Sequence, residues 1–268
     1  PTLFFLVIAL CIYSSFSGDF SAAFNFLFNP DFSKINSSVV ISAMGQAFFT
    51  LSIGMGAIMA YGAYMPKEQL IGKTVLIIVF LDTSVALLAG LTIFPIVFSN
   101  PELSVSSGPG LLFETLPVAF HSLPYGNIFA SIFFILISIA AISSSVSLIE
   151  PFTAWIEEKS MFSRVQGVIL LGAIAWVLGL GSVFSFNIWS TKRFFGFDFL
   201  SLMDFITNNL MLPIGGLAIS IFVGWVLSQK TIQEEIKVPT PLFKIFIFCL
   251  RVIAPMSISV IFLSYFFS

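Results

Sequence analysis

Residues 45–64 read GQAFFTLSIGMGAIMAYGAY. The flanks have the apolar make-up of a membrane-spanning helix, but the centre holds Thr50, Ser52 and two glycines, Gly54 and Gly56, in a GxG spacing. Each glycine weakens a helix by ~1 kcal/mol relative to alanine, so the segment is poorest as a helix where a bilayer is driest. One reading is that the helix opens here. Carbonyls ending its first half could then hold a cation and amides starting its second half could face a carboxylate, as at discontinuous membrane helices near the midplane. The other reading is a plain kink or a close helix contact. Thr50 and Ser52, placed just before the glycines, favour the opened helix.

The rest of the chain supplies the membrane. Of its 268 residues 58% are hydrophobic and 9% charged, with 34 phenylalanines, and the mean hydropathy is +1.06. Soluble domains run at roughly 45–50% apolar and about 25% charged residues. A net charge of -2, with no dense basic run, excludes a nucleic-acid partner and a headgroup-binding basic patch. Cys11 and Cys249 lie in apolar runs without CxxC spacing and read as small buried hydrophobes. Apolar sequence begins at once, without a methionine or a charged leader, which reads as a fragment of a longer protein.

With about 20 apolar residues needed per spanning helix, seven spans are expected, at 3–16, 41–65, 71–98, 125–156, 165–186, 200–228 and 243–266. Residues 17–38 carry turn formers and Asn-Pro and read as an ordered surface loop. Residues 99–126 surround LLFETLPVAF with Pro and Gly and read as a re-entrant or cap-like helical loop. Alternating the connections groups Lys67, Lys73, Lys159, Arg164, Lys230, Lys237 and Lys244 on one side, against Lys34, Lys192 and Arg193. The first side is therefore cytoplasmic, and loops 17–38 and 99–126 are extracellular. Trp155, Trp225 and Trp189 fall near span ends, as an interfacial belt or as scattered aromatics.

Two further polar features stand inside spans. Asp82 sits mid-span with no basic residue within a turn or two, and an intramembrane carboxylate is functional by default. It is either paired with a cation in a polar cavity or protonated and bonded to a neighbouring helix. Ala140, Ser143 and Ser144, at i, i+3 and i+4, share one helix face. That face suits close packing with serine back-bonding, or the oxygen ligation of a hard cation, and spacing does not decide between them.

These residues carry a resemblance. FFTLSIGMG, then AYGAYM, the helix DTSVALLAGLTIFPIVF and finally SSSVSLIEP resemble the second half of a neurotransmitter:sodium symporter of the bacterial amino-acid transporter type. The likeness runs in order from NFLFNPDF to KVPTPLFKIFIFCLRVIAPMS. It implies an all-α integral membrane protein with an inverted-repeat, bacterial leucine transporter-like fold. That fold would be incomplete here, its seven helices being the family's fifth to eleventh, with the second span unwound at its centre.

The resemblance also implies roles. Thr50 and Asp82 match ligands of a first sodium ion. The carbonyl of Ala140, with Ser143 and Ser144, matches a second sodium site. An aspartate at 82 would supply the negative charge for which some relatives need chloride, so chloride is expected to be dispensable. Phe49, Thr50, Ser52, Met55, Ser144 and Leu148 match substrate-pocket positions, and the apolar wall of Phe49, Met55 and Leu148 implies neutral, hydrophobic amino acids. Methionine at 55 replaces a phenylalanine of some relatives and suits bulkier or more varied side chains. Asp204 matches an outer gate acid, and Tyr64 with Glu158 part of an inner gate network. Glu150 reads as a buried polar anchor or a member of that same network.

The function implied is sodium-coupled symport at the cell (inner) membrane by a single multi-pass domain, residues 1–268, with upstream helices or a complementing chain completing the sites. A membrane-embedded hydrolase using Ser143 to Ser145, His121 and Asp82 is disfavoured, because His121 lies in an outer loop and Asp82 at mid-membrane. A non-transporting or regulatory half-transporter is the alternative.

Overall fold

The computed structural model of the chain describes residues 2–66, 68–100, 108–159 and 162–267. Lys67, counted above among the expected inner cations, and residues 101–107 of the stretch 99–126 lie outside the described residues. In chain order the helices are α1 Thr2–Ser17, α2 Phe20–Phe28, α3 Ser37–Thr50, α4 Ala57–Ala63 and α5 Ile71–Phe98, then α6 Leu111–His121, α7 Gly126–Lys159 and α8 Arg164–Ser185. They are followed by α9 Phe199–Val226, α10 Gln229–Ile236 and α11 Thr240–Ser264.

Among the described residues five helices (α5, α7, α8, α9 and α11) are long and apolar enough to cross a membrane, or six if the bent pair α1 and α2 counts as one. The other two expected spans fall short by length: α1 has 16 residues, and the second span is divided into pieces of 14 and 7. Most of their apolar side chains face outward, as lipid-facing helices require.

By internal contacts the chain forms two units, residues 1–35 with 77–145, and 36–76 with 146–268. In the first unit Val7, Leu10 and Tyr13 of α1 pack with Ile96 and Val97 of α5, Leu116, Ala119 and Phe120 of α6, and Phe133 and Leu136 of α7. The short helix α6 is thus held by its own apolar face, as a piece too short to span must be. Tyr13 ties the cluster together: its ring stacks on Phe129, and its hydroxyl donates to the Pro124 carbonyl at 2.7 Å.

Part of the 17–38 stretch, read above as an ordered loop, is the helix α2. Asp19 caps α2 by accepting from the Ala22 amide at 2.9 Å, and its own amide donates to the Pro95 carbonyl of α5 at 2.9 Å. The chain therefore turns by 115° between α1 and α2. Phe20, Phe24 and Phe28, at i, i+4 and i+8, line one side of the new helix.

In the second unit α9 packs along α11 and α11 against α3. The buried Ser220 of α9 donates to the Leu250 carbonyl at 2.8 Å, and Arg251 of α11 donates to the Gly224 carbonyl at 2.5 Å. Both bonds fall at widened π-turns, Phe222–Val226 and Cys249–Ile253, where carbonyls leave the regular ladder and need outside donors. The small helix α10 folds over this end, with Ile232 packing on Phe243 and Ile247.

Candidate functional site at the broken second span

Helix α3 ends at Thr50 and α4 begins at Ala57. Between them Ser52, Gly54 and Gly56 all have positive φ, at 53°, 92° and 83°. The two glycines supply the conformations that L side chains rarely adopt, and Ser52 is strained in the left-handed region, a kind of strain that clusters at functional sites. The opened turn keeps a few bonds, among them Ser52 N–H to the Phe49 carbonyl at 2.9 Å and Ile53 N–H to the Phe48 carbonyl at 3.1 Å.

The opened backbone leans on α9. A Cβ added at Gly54 would run into the Leu212 carbonyl oxygen and lie 2.9 Å from the Gly216 amide nitrogen. A Cβ at Gly215 would strike the Gly54 carbonyl, and one at Gly216 the Phe48 ring. Glycines on both partners therefore let main chain meet main chain. Gly215 and Gly216 escape a reading of the sequence, where their only local signal is the Gly pair after a proline in LPIGG.

Beside the break lies an open, largely apolar cavity of about 580 Å³, walled by Met55, Met59, Phe152, Trp155, Gly215 and Ile219 among others. Of the residues expected in the substrate pocket, Met55 faces this cavity, while Phe49, Thr50, Ser52 and Leu148 do not line it. Phe49 and Thr50 form the last turn of α3 and are exposed, and Leu148 is exposed on α7.

In the first unit, Asp82 stands partly buried in the unbroken α5. Thr83 and Ser84 beside it return their hydroxyls to the Val79 and Phe80 carbonyls at 2.9 and 2.7 Å. Ala140, Ser143 and Ser144 share a face of α7, and the Ser143 hydroxyl donates to the Ala140 carbonyl at 2.8 Å. Those two oxygens, both expected as sodium ligands, are thus neighbours on one turn.

In the second unit, Tyr64, which follows α4, donates to Glu150 of α7 at 2.9 Å, and Nη2 of Arg164 reaches both oxygens of the same carboxylate at 2.8 and 2.7 Å. Arg164 also reaches Glu157 at 3.4 Å. Glu158 instead pairs with Lys159 at 2.9 Å on the surface. Of the residues expected in an inner gate network, Tyr64 thus bonds to Glu150, and Glu158 lies apart with Lys159. In the sequence Arg164 reads only as an inner charge. Asp204 precedes the π-turn Phe205–Met211 and accepts from the Asn208 amide group at 2.6 Å.

A broken apolar span backed by a small-residue helix, in an all-helical chain with several further spans, defines a multi-pass membrane protein of the kind in which a discontinuous helix forms the ligand site. Comparison with known proteins gives the family. The chain belongs to the sodium:neurotransmitter symporter family, whose model matches residues 2–268. It is 33% identical to the uncharacterized sodium-dependent transporter YhdH of Bacillus subtilis (strain 168), across 98% of this chain and 59% of that protein. It is 32% identical to an uncharacterized sodium-dependent transporter of Haemophilus influenzae, across 98% of this chain and 58% of the relative. Its fold matches the crystal structure of MhsT in complex with L-phenylalanine, with a TM-score of 0.85 at 40% identity, over 98% of this chain and 60% of MhsT. The chain thus spans about three fifths of the length of these relatives.

Proposed function

We propose that the full-length protein is a sodium-coupled symporter of a neutral, hydrophobic amino acid in the inner membrane, working by alternating access around the opened second span. The observation that carries the proposal is the open turn at 51–56, where two glycines and a strained Ser52 hold main chain out of its helix beside an apolar cavity. Such a turn presents backbone dipoles to a zwitterion in a place where lipid cannot, and the methionine and aromatic walls suit an apolar side chain. L-phenylalanine in the structural neighbour supports the substrate class.

The sodium roles follow the resemblance. Thr50 and Asp82 serve one ion; the Ala140 carbonyl with Ser143 and Ser144 serves a second. Hydroxyl, carbonyl and carboxylate oxygens are the ligands a hard cation takes. With Asp82 carrying negative charge, chloride is not required. The substrate contacts are Phe49, Thr50, Ser52, Met55, Ser144 and Leu148; the gates are Asp204 outside and Tyr64 and Glu158 inside, joined by Glu150 and Arg164. Coupling arises when ions and amino acid stabilise the same conformation, so that neither shifts the equilibrium fully alone. The whole chain acts as one transporter domain together with the helices that complete its sites.

Uptake by proteoliposomes holding the full-length protein tests this. L-phenylalanine and L-leucine should accumulate under an inward sodium gradient, more strongly than glycine, and equally with chloride or gluconate. Accumulation that needs no sodium, or that collapses without chloride, would contradict the corresponding part.

A further inference from the structure

Helix α11 carries an ionisable residue in mid-span to which the transport reading gives no task. Arg251 is half-buried near the middle of Thr240–Ser264, and an arginine within a spanning helix is costly and functional by default. What it meets is a carbonyl and an amide. Its Nε donates to the Gly224 carbonyl at 2.5 Å, and with the Gln229 amide oxygen turned toward it, Nη1 and Nη2 donate there at 3.2 and 3.3 Å. Gly224 lies in the last turn of α9, where carbonyls have no later helical amide to accept from. Gln229 is the first residue of α10. One guanidinium therefore caps α9 from another helix, sets positive charge at the negative end of α9 and ties the corner between α9 and α10.

The contact belongs to a longer seam. Gly216, Ser220 and Gly224 recur every fourth residue on α9, and all three are buried. A Cβ on Gly216 would strike the Phe48 ring of α3, the Ser220 hydroxyl donates to the Leu250 carbonyl, and a Cβ on Gly224 would stand 3.2 Å from Cγ of Arg251. Small residues thus bring α9 close to its neighbours, and residues 250 and 251 of α11 bond it at two successive positions of the stripe. The third position adjoins the break, because Gly54 leans on the Leu212 carbonyl and the Gly216 amide. The open turn has few bonds of its own: the amides of Ser52, Ile53 and Met55 return only to carbonyls of residues 48–52. Its shape depends on the wall behind it. That wall is fixed where the seam is bonded, and of the two ties the one from Arg251 is charge-assisted and the stronger.

We propose that Arg251 is a positioning residue for the ligand site: by capping α9 it holds Gly215 and Gly216 against the opened second span. The proposal rests on the transport reading for its purpose, but its effect on the break can be read without transport.

Hydrogen–deuterium exchange of the full-length protein tests it, together with equilibrium L-phenylalanine binding in sodium. Arg251→Met keeps an apolar stem and leaves the Gly224 carbonyl without its donor. Amide exchange should quicken about five- to fiftyfold at the corner, residues 222–232, and also in the break, residues 51–56, and binding by the folded protein should weaken by a similar factor. Arg251→Gln places an amide N–H donor as many bonds along the stem as Nε, and should return exchange in the break to within about threefold of the parent. Gly224→Ala leaves the charge in place and only presses on the stem; it should quicken exchange in the break about twofold, and it decides the matter if Arg251→Met does not fold. Faster exchange confined to residues 222–232, with the break and the binding as in the parent, would overturn the proposal. So would an Arg251→Gln variant as impaired as Arg251→Met. A parent protein that binds no L-phenylalanine in sodium would instead overturn the transport reading, and exchange in the break would still decide the role of Arg251.

Discussion

Helix α5 and the second span both meet polar residues in mid-course, and of the two only the second span breaks. Helix α5 runs 28 residues without interruption through Asp82, Thr83 and Ser84. The second span opens from 51 to 56. The difference shows that polar side chains alone do not open a membrane helix. Thr83 and Ser84 give their hydroxyls back to the preceding turn, so the ladder around Asp82 survives. Opening takes residues at home with positive φ and another backbone to lean on. Gly54 and Gly56 supply the first, and Leu212 to Gly216 of α9 supply the second.

The comparison breaks most severely at Gly54. Gly54→Ala puts a side chain at φ 92° and drives its Cβ into α9, so strain and overpacking together should cost about 2–5 kcal/mol. In the full-length protein this should appear as a large drop in melting temperature and loss of amino-acid binding. Wild-type melting in that variant would mean that main chain does not meet main chain there. Asp82→Ala should do the opposite: far-ultraviolet circular dichroism and melting stay near the parent, because α5 is already continuous and alanine favours helix by up to about 0.7 kcal/mol. Sodium dependence of binding, however, should fall. Unchanged sodium dependence would remove Asp82 from the ion site.

The smallest effect concerns the support that α9 gives the break. Asp198 caps α9, accepting from the Ser201 amide at 2.9 Å and the Ser201 hydroxyl at 2.7 Å. Those bonds, the amide first, hold its carboxyl below the usual carboxylate range. A lowered carboxyl pKa stabilises the fold above the unfolded value, about 3.9, and that stability is lost as pH falls through the folded value. Asp198→Ala should cost about 1 kcal/mol at neutral pH, and Asp198→Asn, which keeps an acceptor, only a few tenths. Melting curves at pH 7 and below pH 4 check this, with the gap between parent and alanine variant narrowing in acid.

Much of this contrast is legible in the amino-acid sequence alone. The GxG after Thr50 and Ser52 announces the break because positive φ has a local residue signature, and Asp82 announces itself by its cost. The family resemblance then orders the remaining residues. What stays hidden are pairings between distant segments. Tyr61 with Ser147, whose hydroxyls share a hydrogen bond, and Gly54 with Gly215 join stretches far apart in sequence and leave no local period to read. Glu150 is ambiguous in sequence because its partner, Arg164, begins the next helix. Helix α2 reads as a loop because Asp19 and Asn29, which cap and end it, also look like turn formers.

The central claim is that the opened second span binds sodium and a hydrophobic amino acid together. Equilibrium binding of labelled L-phenylalanine to the purified full-length protein, in sodium against potassium and in parent against Thr50→Val, tests it most directly. Saturable binding in sodium, at least tenfold weaker in potassium and insensitive to sodium in the variant, is the expected result. Equal binding in both cations, or a variant that keeps full sodium dependence, would contradict it.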